Sequence, residues 1–174
     1  MTEVTAETDP TLEAIADKTK LALRRLAKSV MIITARQDGV NYAMAATAVD
    51  ALSMEPPSVL ACVNQNASIH PVLLKAERFA INILSRAHED LSHHCGGRVK
   101  GEARFEIGSW DHDGEVPVLA DAQAAILCRS DAHFEYGTHS IFVGKVEDVR
   151  THGVIDPLVY IDGRYTGVNA LMMG

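Results

Sequence analysis

The sequence predicts a mainly β protein, an antiparallel barrel with helices capping its ends. Three observations lead there. Runs rich in Val, Ile and Phe recur at 29–35, 58–64, 78–84, 124–137 and 140–150, most of them bounded by turn residues or proline. Strand follows strand along the chain, which favours antiparallel pairing over a doubly wound parallel sheet. The two nucleotide fingerprints of parallel folds, GxGxxG and GxxxxGK[ST], are both absent.

Taken in order, residues 1–9 read as a tail, and Asp9-Pro10 marks a helix start. Leu12, Ile15, Ala16, Leu21, Leu23 and Leu26 give an imperfect helical stripe from Thr11 to about Lys28. The period then changes. SVMIITA (29–35) is a β run, and Gln37-Asp38-Gly39 turns it into NYAMAATAV (41–49). Pro56-Pro57 closes that segment, because neither proline can donate to a ladder. SVLACVN (58–64) reads as a buried strand, residues 68–76 as a short helix with Pro71 in its first turn, and RFAINIL (78–84) as another strand. AHEDLSHHCGG (87–97) is helical and ends in glycine. An irregular stretch surrounds Trp110, two long β runs follow, and PLVYIDGRYTGV (157–168) forms a hairpin about Asp162-Gly163.

With 174 residues, 47% of them hydrophobic and 22% charged, the chain suits one globular domain. We place a tail and the start of a helix at 1–20, the domain at 21–168 and a tail at 169–174. The net charge of −7 argues against a nucleic-acid partner. No apolar run reaches the roughly 20 residues of a membrane span. The acidic N-terminus is unlike a secretory signal, and the separated Cys62, Cys95 and Cys128 suit a reducing, cytoplasmic setting.

His88, His93, His94 and Cys95 are near neighbours, but adjacent histidines on a helix diverge by about 100°. No metal site is expected. No GxSxG elbow marks a nucleophilic serine. What stands out is AMAATAV (43–49), a β segment with almost no side chain. Alanine there suits close packing against a helix first, and also a backbone surface that a planar ligand can approach. Two neighbours favour the ligand. VNQNASIH leads from a strand to an expected helix start at Ala67-Ser68, a suitable seat for phosphate, and GGRVKGEAR (96–104) supplies a basic loop.

The segment YAMAATAVDALSMEPPSVLACVNQNASIHP (42–71) resembles the signature region of the flavin reductase-like, FMN-binding split-barrel family. RFAINILS, ARFEIGSW, VPVLADAQAAILC, GTHSIFVGKVEDV and PLVYIDGRY continue the similarity in order, over roughly residues 21–168. The resemblance implies an antiparallel split β-barrel of the FMN-binding type, transferring hydride from NADH or NADPH to FMN or FAD. It implies that Ala45, Ala46, Thr47 and Ala48 run along the isoalloxazine. It places Asn64, Ala67 and Ser68 at the ribityl chain and phosphate, Arg104 at phosphate or adenine, and His139 near the nicotinamide. It further implies a homodimer with flavin near the interface, and a separate oxygenase component served by diffusing reduced flavin. Thr138 and Ala48-Val49 depart from the common pattern, which has an acidic residue at the first position and Ser-Phe at the second pair. A flavin-retaining oxidase of the pyridoxamine phosphate oxidase type and a non-catalytic flavin-binding module are the alternatives on this barrel.

Overall fold

A computed structural model describes residues 10–168. The expected tails at 1–9 and 169–174 lie outside the described residues. The chain begins with α1 (Pro10–Leu23), then β1 (Lys28–Ser29), β2 (Met31–Gln37), β3 (Val40–Ala46), β4 (Val49–Met54) and β5 (Pro57–Asn64). After α2 (His70–Leu73) and β6 (Arg78–Ile83) comes α3 (Glu89–His93), which runs into a wide turn over His94–Arg98 and a 3₁₀ turn over Gly101–Phe105. A small pair, β7 (Trp110–Asp111) and β8 (Val118–Leu119), precedes the long strands β9 (Ala124–Tyr136) and β10 (His139–Thr151). The hairpin of β11 (Leu158–Ile161) and β12 (Arg164–Gly167) completes it.

Seven strands form one sheet in the order β3-β2-β6-β9-β10-β5-β4, every neighbouring pair antiparallel. Its two edge strands, β3 and β4, are consecutive in the chain yet pair with β2 and β5 at opposite ends of the order. Only Thr47 and Ala48 separate them. The sheet curls until its edges are close without pairing, which is the split of a split barrel. The expected continuous strand over 41–49 is therefore two strands with a crossing between them.

The run SVMIITA is apolar throughout because β2 is buried on both faces. Ile33 and Ala35 face the barrel core with Phe79, Ile81, Val63 and Phe142. Ile32 faces the other way, with Ala43, Leu84, Leu91 and Leu119 beneath the α3 region. On the same face as Ile32 lies a polar knot. Asn82 donates to the Ile32 carbonyl at 3.0 Å and accepts from the Leu119 amide at 2.9 Å, while Thr34 donates to the Pro117 carbonyl at 2.6 Å. All three polar groups are buried and satisfied.

Both predicted hairpin turns form, with Asp38-Gly39 and Asp162-Gly163 at positive φ, as a two-residue turn of that hand requires. Three helical expectations are shortened. The first helix ends at Leu23 rather than near Lys28, because β1 is drawn into pairing with β11. Its apolar stripe is exposed, Leu12 by 63%. The helix expected over 68–76 is only His70–Leu73, since residues 65–69 are spent in turns that lock onto β10. The helix expected over 87–97 divides into a 3₁₀ turn, α3 and the wide turn at Gly96-Gly97.

Candidate flavin site

The site is built where β3, β5 and β10 meet the crossing. The Cys62 amide donates to the Ala48 carbonyl at 2.8 Å, fixing the crossing beside the end of β5. The amide and carbonyl of Thr47 have no main-chain partner among the described residues. Ala45 and Ala46 are differently placed. Ala45 packs under the 96–104 loop, where a Cβ on Gly96 would lie 3.9 Å from its methyl, and Ala46 packs on the barrel core. Their small side chains serve internal packing, and Thr47 and Ala48 lie half-buried at the crossing itself.

On the other flank, β5 and β10 pair with Asn64 directly opposite His139. The Gln65 amide donates to the Thr138 carbonyl at 2.9 Å and closes the corner. The Asn64 side-chain oxygen accepts from the Asn66 amide at 2.8 Å, and the Asn64 carbonyl accepts from the Ala67 amide at 2.9 Å. That turn leaves the Asn64 side-chain nitrogen, the Ser68 hydroxyl and the Ser68 and Ile69 amides without partners among the described residues. The helix start expected at Ala67-Ser68 is instead a turn with free amides, since the four-residue helix begins only at His70 and carries little dipole.

His139 is exposed, and its Nδ1 lies 2.9 Å from the Thr138 hydroxyl. The Thr138 hydroxyl gives this histidine a neutral neighbour that donates to a bare Nδ1 or accepts from a protonated one. Arg104 donates from Nε to the Val99 carbonyl at 2.7 Å and from Nη1 to the Ala43 carbonyl. It pins the basic loop onto β3. Arg98 and Lys100 on the same loop have no ion-pair partner among the described residues.

The structure therefore brings Ala48, Asn64, Ala67, Ser68 and His139 together through β5, and joins Ala45 to Arg104 through β3. It also shows a pair that sequence reasoning passed over. Buried His70 places Nε2 2.8 Å from the buried Ser140 hydroxyl and stands edge-on to Phe142 at 5.5 Å. His70 closes the small-residue turn and Ser140 follows His139, so their positions in VNQNASIHP and GTHS were the available signal.

The three histidines of the 88–94 segment point elsewhere. His88 contacts Asp121 at 3.3 Å, His93 packs edge-on to Tyr165, and the His94 ring nitrogen lies 2.9 Å from the Ala103 carbonyl. Burial pushes the Cys95 thiol up to about 11 and the Cys128 thiol up to about 12.

A curled antiparallel sheet split beside a bare crossing, with free amides at the adjoining turn, defines a flavin-binding split barrel. Residues 23–169 match the flavin reductase like domain, and the chain belongs to that family. It is 37% identical over 156 residues to the reductase component of the FADH2-dependent resorcinol hydroxylase of a Rhizobium species, covering 88% of this chain and 87% of the relative. It is 34% identical to the FMN reductase (NADH) RutF 2 of Rhizobium rhizogenes, covering 95% and 96%. Among solved structures, flavin reductase PheA2 superposes with a TM-score of 0.79 at 26% identity, covering 94% of this chain and 100% of that one.

Proposed function

We propose that this protein is an NAD(P)H:flavin oxidoreductase that reduces FMN or FAD and releases the product to a separate oxygenase component. The observation that carries this is the unpaired main chain of Thr47 beside a turn with four free donor groups, a combination that fits a flat ring with a phosphate tail. Bound flavin supplies the acceptor for the nicotinamide's hydride, chemistry that needs no protein nucleophile. Thr47 and Ala48 offer main-chain groups to the ring edge. Asn64, Ala67, Ser68 and the Ile69 amide hold the ribityl chain and phosphate. His139, on the same face as Asn64, orients the nicotinamide, and most of the rate enhancement comes from that positioning. Arg104 keeps the loop beside β3 so that its cations offset the chain's negative field.

The protein works as a homodimer with flavin near the interface. The face of β5, β9 and β10 that carries Asn64 and His139 also carries Leu60, Cys62, Ile141 and Val143, with Phe134 60% and Tyr136 85% exposed. So large an apolar patch on a monomer calls for a partner. Its relatives' names support the oxygenase partner. The free Cys62, Cys95 and Cys128 support a cytoplasmic setting, and no helix among the described residues is long and apolar enough to cross a membrane.

The test mixes protein with each flavin and each pyridine nucleotide and follows loss of nicotinamide absorbance. Oxidation well above the protein-free rate in at least one of the four combinations is expected. No acceleration in any of them rejects the proposal.

A further inference from the structure

The turn that carries the free amides is fastened to β10 at both of its ends. At its start, the Gln65 amide donates to the Thr138 carbonyl at 2.9 Å. At its end stands His70, whose amide donates to the Ala67 carbonyl at 2.9 Å and whose ring reaches back to the same strand. His70 Nε2 lies 2.8 Å from the Ser140 hydroxyl, and neither atom has another hydrogen-bond partner among the described residues. Side chains alternate along β10, so His139 and Ser140 leave it on opposite faces. His139 stands beside Asn64 outside the barrel, and Ser140 beside Val63 within it. Ser140 is fully buried and His70 nearly so, with Phe142 edge-on to the imidazole at 5.5 Å and Ile69 packed in the same core. A paired hydrogen bond in such a place adds little stability over an apolar pair of the same shape. What it adds is direction, because it holds α2 in the setting that satisfies both groups.

We infer that His70 and Ser140 are positioning residues for a phosphorylated flavin, an inference that rests on the phosphate seat proposed at Asn64–Ser68. The latch sets the Ser68 hydroxyl and the Ser68 and Ile69 amides against β10, the strand that also carries His139. Both residues act through the turn and not on the ligand, because both are buried on its core side. Without the latch the turn keeps its bond from Gln65 but loses its second fastening, and its amides no longer meet a single phosphate. Riboflavin has the same ring and ribityl chain without the phosphate, so its binding does not use these amides. Phosphate recognition, and not ring binding, is what the pair supplies.

The test compares FMN with riboflavin in the whole protein, by quenching of flavin fluorescence for dissociation constants and by steady-state kinetics with NADH. The variants are Ser140→Ala and the double substitution His70→Leu with Ser140→Ala, and circular dichroism checks their folding. The parent is expected to bind FMN at least about tenfold more tightly than riboflavin, through charge-assisted hydrogen bonds to the phosphate. Ser140→Ala is expected to raise the dissociation constant and KM for FMN at least about fivefold, with the riboflavin values and both kcat values changed less than about twofold. The double variant leaves no buried group unpaired and is expected to lose the preference for FMN as well. A merely structural pair would shift both flavins together, and that result overturns the inference. Variants that keep the parental preference also overturn it, and leave the phosphate seat standing. A parent that binds the two flavins alike overturns the seat itself, and the inference falls with it.

Discussion

Thr47 carries the sharpest test at the scale of single residues. An indole in its place would stand where the ring must approach, yet Thr47 belongs to none of the three core clusters. Thr47→Trp is expected to lower kcat/KM at least about tenfold, some 1.4 kcal/mol of transition-state stabilisation, with an unchanged melting temperature. A parental rate in that variant would move the ring elsewhere. Ala46→Phe would be a poorer probe, because Ala46 packs on the barrel core and a ring there would strain the fold. The alanines thus had two causes that sequence alone could not separate: Ala43 and Ala45 are small because the α3 region and its loop cover them, whereas Thr47 and Ala48 cross an open seam. Thiol chemistry gives a second test. With the Cys95 and Cys128 thiols raised to about 11 and about 12, neither forms appreciable thiolate at pH 8. Alkylation at that pH is expected to modify Cys62 at most in the native protein, and all three cysteines after denaturation. Rapid native labelling of Cys95 would show that its shielding is incomplete.

Among the elements, β10 carries a steric constraint set by a ring and a strand rather than by a flexible side chain. A Cβ on Gly144 would lie 2.5 Å from the Phe79 ring and 2.7 Å from the Cys128 Cβ, where the β9–β10 register shifts. Gly144→Ala is expected to destabilise the protein by about 1–3 kcal/mol through overpacking. Denaturant unfolding would read this as a lower midpoint with an unchanged slope. An unchanged midpoint would mean that Phe79 moves aside freely. The hairpins were legible because Asp-Gly at a two-residue turn needs no tertiary help. The helices were less so. Residues 65–69 have helix-compatible composition, but bonds from the Gln65 amide to Thr138 and from Asn66 to Asn64 hold them as turns. A partner more than seventy residues away leaves no local pattern.

At the scale of the whole molecule, the strand-after-strand order already pointed to an antiparallel barrel, and the family resemblance covered most of the chain. The seam was not visible, since nothing in AMAATAV announces that its halves pair at opposite edges. The exposed apolar face makes a prediction about assembly. Phe134→Asp places a charge on that face and is expected to convert the proposed homodimer to monomer in sedimentation velocity. Parental sedimentation in that variant would put the subunit contact on another surface.

The unpaired edges carry one more consequence. Because β3 and β4 share no ladder, the barrel can breathe at this slit more readily than anywhere along its bonded strands. A guest touching Thr47, Ala48 and Asn64 at once would tie the crossing to the end of β5, so occupancy should slow amide exchange in β3 and β4 ahead of the interior strands. Catalyst and clasp would then be one small stretch of chain, and emptying the enzyme would loosen it.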